Sequence, residues 1–181
     1  VLSVARLQPQ GRAQSVPLSL DTEVRGACAD WVLQAGAADR LRLWLEAGTV
    51  RALFEPDHLR RVLVNLLDNA LRYASAQPES IQVVTADGAG SPTLRVWSDG
   101  APLDKGVESH LFEPFFSSES RSSGLGLYIC RELCERHGAR IGYRRCPAPL
   151  GAARDGNEFY VEFVAQAPQP PAAAAATMPA P

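Results

Sequence analysis

Three polar side chains spaced along one apolar segment carry the first chemical signal in this sequence. In LVNLLDNALRYA, residues 63–74, Asn65, Asn69 and Arg72 fall at i, i+4 and i+7, with Tyr73 beside them. On a helix that spacing gathers them into one stripe, while Leu59, Leu63, Leu66 and Ala70 line the opposite side. Carboxamide oxygens are hard ligands that suit Mg²⁺, which keeps waters and substrate phosphates in its shell. A guanidinium on the same stripe can pair with phosphate oxygens. A solvated helix face or an internal amide network would show the same spacing, and on this segment alone both readings stand.

A second signal is RSSGLGLYI, residues 121–129, in which Gly124 and Gly126 precede a helix. Free backbone N–H groups and the positive end of the helix dipole favour an anion there. Between the two signals lies LFEPFF, residues 111–116, followed by the polar run SSESRSS. Apolar residues flanking a small polar loop predict a hinge and a mobile lid, with too little apolar area to order itself before phosphates arrive. Cys130, Cys134 and His137 also share a helical face. Metal ligation would need a fourth partner that is not evident, and small thiols filling a buried helix face is the simpler reading. Cys28 and Cys146 complete a set of four without C-x-x-C or disulfide spacing, which predicts a reducing, cytosolic setting.

These groups need elements to position them. VLSVARL at the start has helical spacing, and Pro9 and Gly11 break it, so residues 1–15 read as the end of an upstream helix and a linker. Val16–Leu20 is a strand candidate, and Asp21 can cap a helix that buries Val24, Cys28, Trp31 and Ala35 and ends at Gly36. Arg40–Leu45 and Val50–Phe54, joined by the Gly48 turn, predict a β-hairpin. Pro56 opens the strongest helix, running to about Tyr73. Ile81–Ala86 and Thr93–Ser98 are strands, and 99–123 is loop with a helical turn near Val107–Leu111. A helix from Gly124 to a cap at Gly138 follows, then strands Ile141–Arg145 and Phe159–Val164. Residues 166–181 are Pro and Ala rich and read as a disordered tail. This order predicts an α/β two-layer sandwich, one mixed β-sheet covered on one face by three helices, occupying residues 16–165.

Bulk properties agree with one globular domain: 181 residues, 46% hydrophobic, 21% charged and a net charge of −2. That charge predicts no nucleic-acid partner. No apolar run approaches the roughly 20 residues that span a bilayer. Val1 in place of Met leads us to expect a piece of a longer protein, whose own membrane segments would lie elsewhere.

Taken together and in order, the motifs resemble those of bacterial sensor histidine kinases, within the Bergerat-fold ATPase superfamily. LVNLLDNALRYA looks like the N box, LFEPFF like the F box, and SSGLGLYI like the second glycine box; FEPDHLRRVL is similar to the stretch that leads into the N box. The resemblance covers roughly residues 1–165, and the short lid ending in GLGLYICREL looks closest to the nitrogen-regulation and type IV pilus sensor kinases. It implies ATP and Mg²⁺ as cofactors, with Asn69 on the metal and Asn65 beside it. Arg72 stands where the family usually has a phosphate-contacting Lys, and Tyr73 where an aromatic lies against adenine. Gly124 and Gly126 would let the backbone approach the phosphates, with Ser123, Leu125 and Leu127 beside them among the nucleotide-binding residues. Phe112, also counted among these, would anchor the lid with Phe115 and Phe116, and Arg121 would meet the γ-phosphate.

Two departures accompany the resemblance. The first glycine box usually reads D-N-G-x-G, its Asp holding the adenine amine. Here WSDGAPL, residues 97–103, puts Ser98 at that position by ungapped spacing and by strand parity, with Gly100 and Leu103 downstream and Pro102 at the second glycine. A one-residue bulge would bring Asp99 inward instead. Ser122 stands where the second glycine box usually begins with Gly. The implied function is transfer of the γ-phosphate of Mg-ATP to a histidine on a dimerisation domain absent from this chain, then relay to a response regulator. The implied location is cytoplasmic, in a parent protein that can sit in the inner membrane. His58, His110 and His137 lack the His-Glu or His-Asp context of an acceptor. A degenerate nucleotide-binding or partner-binding module is the alternative that Ser98 and Pro102 motivate. A hydrolysing ATPase of the superfamily would carry a general-base Glu where Asn65 stands.

Overall fold

The computed structural model describes residues 14–116, 124–151 and 153–168. The expected upstream helix and most of the Pro/Ala tail lie outside these residues, as does the polar run after Phe116. A short strand, β1 (Val16–Ser19), leads straight into helix α1 (Leu20–Ala35). Ser19, not Asp21, caps this helix, its Oγ accepting from the Thr22 N–H at 3.4 Å. Asp21 instead accepts from the Ala47 and Gly48 amides, each at 3.1 Å, and from the Thr85 hydroxyl. Its carboxylate therefore pins the start of α1 to the sheet. Val24, Cys28 and Trp31 are buried as expected, whereas Ala35 at the last turn is exposed.

The expected hairpin does not form. β2 (Leu41–Glu46) pairs in parallel with β4 (Ile81–Asp87), and β3 (Arg51–Phe54) pairs antiparallel with β1 in a separate two-stranded sheet. Alternation dictates which side chains share a face, and it is blind to the partner strand. Here parallel pairing sets Leu41 and Leu43 beside Ile81 and Val83, while Ala52 and Phe54 of β3 enter the core from the other sheet.

Helix α2 (Pro56–Tyr73) crosses the centre of the helical layer. Glu55 caps it by accepting from the His58 N–H at 2.7 Å, and Pro56 occupies the first turn, where its missing N–H costs nothing. Leu59, Val62, Leu63, Leu66 and Leu67 are all essentially inaccessible. Each contributes about 1.5–3 kcal/mol relative to exposure. β5 (Pro92–Ser98), the single turn α3 (Lys105–Glu108), α4 (Gly126–Arg136), β6 (Arg140–Pro147) and β7 (Asp155–Glu162) complete the chain order.

The main sheet runs β2-β4-β5-β7-β6 and is mixed, with β2–β4 its parallel pair. α2 packs on α1, on α4 and on the central strands, so the molecule is the α/β sandwich expected. The small β1–β3 sheet was not anticipated, and chain beyond β7 joins it: the Gln166 N–H, placed in the tail by composition, donates to Arg51 O at 2.8 Å.

The sheet's far side is closed in its middle by the β6–β7 connection. Gln82 holds Leu150 through both its amide groups, each at 2.9 Å, and Trp97 Nε1 donates to Cys146 O at 3.1 Å. Gly156 makes room for that tryptophan, since a Cβ there would stand 2.4 Å from its ring. Glu158, fully buried on the same side, is neutralised by Arg144 and approached by Arg95 at 3.7 Å.

Candidate functional site

A cleft of about 550 Å³ opens between α2, the β5–α3 connection and the start of α4. The polar stripe of α2 forms one wall: Asn65, Asn69, Arg72 and Tyr73 all line it. They are there because the opposite stripe is committed to the core, which turns this one toward the cleft. Asp68 lines the same wall, engaged by the Trp31 indole N–H at 2.8 Å.

Gly124, Gly126 and Leu127 supply the facing wall. Among the described residues no side chain caps the start of α4, and first-turn amides of a helix favour an anion. Asn65 Nδ2 reaches across to Gly126 O at 3.4 Å and ties the two walls together. Gly124 is required by two constraints at once. Its φ is +66°, and a Cβ would stand 2.7 Å from the carbonyl carbon of Phe115. At Gly126 a Cβ would find its nearest neighbour at 3.9 Å, so that position is open, not crowded. Phe116 lines the cleft, while Phe115 holds a φ of +60° and is 79% exposed.

The floor comes from β5 and β7, through Val96, Ser98, Asn157 and Phe159. β5 pairs without interruption through Ser98, which faces Ile81 on one side and Asn157 on the other, so there is no bulge. Asp99 accordingly points away. Its carboxylate accepts from the Ser75 N–H at 2.8 Å and the Ser75 hydroxyl at 2.6 Å, and pairs with Arg154 at 3.2 Å.

Of the other residues expected at the site, Leu103 lines the cleft, along with Pro102. Gly100, Phe112 and Leu125 do not. Gly100 packs where a Cβ would meet Tyr73 O at 3.1 Å, and its own carbonyl accepts from Arg145. Phe112 stands edge-on to Phe159 with centroids 6.2 Å apart, and Leu125 is the residue before α4. Arg121 and Ser123 lie outside the described residues. Asn157 and Asp68 were missed. Asn157 was discoverable from strand parity on β7, where it shares the helix-facing side with Phe159 and Val161.

Two of the three histidines meet. His58 Nδ1 and His137 Nε2 lie 2.8 Å apart, and Ser15 Oγ is 2.7 Å from His137 Nδ1. The Phe54 ring lies tilted against His137, with centroids 4.3 Å apart. Burial, and then the neighbouring His58, hold His137 below its ordinary value of 6.5. Cys130 and Cys134 fill the buried side of α4, their thiols pushed by burial to about 12.

A helix start facing a carboxamide and guanidinium stripe, over a half-apolar floor, in an α/β sandwich, has the donor set that a nucleotide's phosphates and base call for. The chain belongs to the histidine kinase-, DNA gyrase B- and HSP90-like ATPase family, which its sequence matches over residues 54–167. Within that family it is similar to the catalytic domains of sensor histidine kinases. The sensor protein kinase PilS of Pseudomonas aeruginosa is 37% identical over 145 residues, which is 76% of this chain and 27% of that protein. The C4-dicarboxylate transport sensor protein DctB of Rhizobium meliloti is 35% identical over 115 residues, 63% of this chain and 18% of the relative. The chain therefore spans about a quarter or less of these relatives. The nucleotide-free catalytic domain of histidine kinase ThkA shares the fold, with a TM-score of 0.66 over 83% of this chain and 95% of that one at 22% identity. Among the described residues no helix is long and apolar enough to cross a membrane.

Proposed function

We propose that this domain binds Mg-ATP in the α2–α4 cleft and transfers the γ-phosphoryl group to a histidine on the dimerisation domain of its parent protein, for relay to a response regulator. The P–O bond to ADP breaks as a P–N bond to the imidazole forms, and the histidine's displaced proton leaves to solvent or a nearby base. The observation that carries this reading is the pairing of two walls: the Asn65–Asn69–Arg72 stripe faces the start of α4 across one cleft. Phosphates then lie at the α4 end, where backbone N–H groups and Arg72 bind them, and the base lies over Ser98 and Val96 beside Tyr73.

The donor set fits Mg²⁺. Asn69 offers a half-buried carboxamide oxygen on the cleft wall, and a single protein ligand with waters and phosphate oxygens is a usual magnesium shell. When bound, the ion supplies charge neutralisation on the phosphates. Asn65, bonded to Gly126 O, is no base for activating water, which favours phosphotransfer over hydrolysis.

Calorimetric titration of ATP with and without Mg²⁺ tests the binding, and γ-labelled ATP tests the transfer. The domain alone is expected to take no acid-labile, base-stable label, and to label the separately supplied dimerisation domain. Self-labelling, or no label on that partner while ATP is bound, would refute the transfer.

A further inference from the structure

Among the described residues, the cleft floor presents no free carboxylate that would select adenine over other purines. Ser98 offers a neutral hydroxyl, and the neighbouring carboxylate of Asp99 is turned away and held by Ser75 and Arg154. Beside Ser98, directly opposite on β7, stands Asn157, 6% exposed and lining the same cleft.

The orientation of the Asn157 amide is settled by its partners. Tyr143 donates to Oδ1 at 2.8 Å and Arg145 Nη1 donates to the same oxygen at 3.1 Å, which fills both its lone pairs. Burial pushes the Tyr143 phenol up, so it remains an O–H donor near neutrality. Nδ2 donates one hydrogen to Ala101 O at 2.8 Å, and the other has no partner among the described residues. Asn157 can therefore give a hydrogen bond to a base but cannot readily accept one.

A purine's 6-position decides what this floor prefers. Adenine carries an amine there, a donor; guanine and hypoxanthine carry a carbonyl, an acceptor. A carboxylate accepts only, so it holds the amine and repels the carbonyl. Ser98 can turn its hydroxyl either way, and the Asn157 N–H favours the carbonyl. We propose that this site accepts 6-oxopurine nucleoside triphosphates on a par with ATP, with Asn157 as a specificity-determining residue. The inference rests on the cleft being the nucleotide site with its base over β5 and β7.

Affinities for ATP, GTP and ITP, measured by calorimetry on the intact chain with Mg²⁺, are expected to lie within about tenfold of one another. Ser98→Asp should tighten ATP and weaken both GTP and ITP, each by roughly tenfold. Asn157→Asp keeps the acceptor for Tyr143 and Arg145 but removes both N–H groups, the one bonded to Ala101 O included, so GTP and ITP should weaken by about tenfold or more relative to ATP, which should hold or tighten. A melting temperature for each variant separates lost affinity from lost fold. ATP bound about a hundredfold or more tighter than GTP and ITP by the unmodified chain would overturn this inference and leave the ATP site standing. Failure of all three nucleotides to bind would overturn both.

Discussion

A carboxylate one residue along from the inward-facing position has a different job, and Asp99 is the instance here. Its two bonds to Ser75 and its pair with Arg154 close the end of α2 onto the sheet, with the carboxylate side chain only 8% exposed. Asp99→Ala should therefore lower stability by about 1–3 kcal/mol through the unsatisfied Ser75 amide and lost charge pair, while nucleotide affinity changes less than about threefold. Denaturant melts beside ATP titrations check both halves. Asn69 should behave in the opposite manner. Asn69→Ala removes a half-buried carboxamide from the cleft wall without touching the core stripe, so the melt should hold while the Mg²⁺ enhancement of ATP binding disappears. Unchanged Mg²⁺ dependence would show that the metal sits elsewhere.

Among the elements, the start of α2 and the end of α4 are joined by the His58–His137 contact, with Ser15 at its far side. The pair can carry no added proton or one. Two would set N–H against N–H across 2.8 Å. His58, Glu55 and Arg136 are the charged and titratable groups acting on His137, and burial is the largest influence, so the native value lies below 6.5. Above pH 6.5 neither state holds the proton, and the native fold keeps its full stability. As pH falls below 6.5 the unfolded chain binds it first, so stability drops until the depressed native value is passed. Thermal melts between pH 7.5 and 5.5 should show this decline, and His137→Gln should flatten it. An equal slope in the variant would place the titration on another group.

Over the molecule as a whole, one core runs beneath α1, α2 and α4, and the four cysteines report its closure. Cys28, Cys130 and Cys134 are buried, each with its thiol pushed to about 12, whereas Cys146 is half-buried on the β6 edge of the sheet. A thiol reagent at pH 8 should modify Cys146 first and reach the other three only through unfolding. Mass spectrometry along a denaturant series reads this directly. Early modification of Cys130 would mean that α4 opens locally, which would bear on how the phosphate end of the cleft is held.

How much of this was legible in the residues differs by kind of information. Periodicity is local, and it identified α2, its two stripes, both ends of the helix after the glycines, and every strand of the main sheet to within a few residues. Parity along β5 is local too, and it placed Ser98 inward and Asp99 outward before any pairing was known. Strand partnership is not local. Arg40–Leu45 and Val50–Phe54 have the alternation and the glycine turn of a hairpin, yet they enter two different sheets, because partners are chosen by which apolar faces can be buried together. The same holds for side chains that meet from distant positions. His58 and His137, Gln82 and the Leu150 backbone, and Ser98 and Asn157 are separated by scores of residues, and only the closed sheet and its helical layer bring them within bonding reach. The sequence by itself determined which residues line one face of each element and hence the chemistry of the α2 wall. The tertiary structure alone decided which faces meet, and therefore that the polar groups on the floor of the cleft are a hydroxyl and an amide.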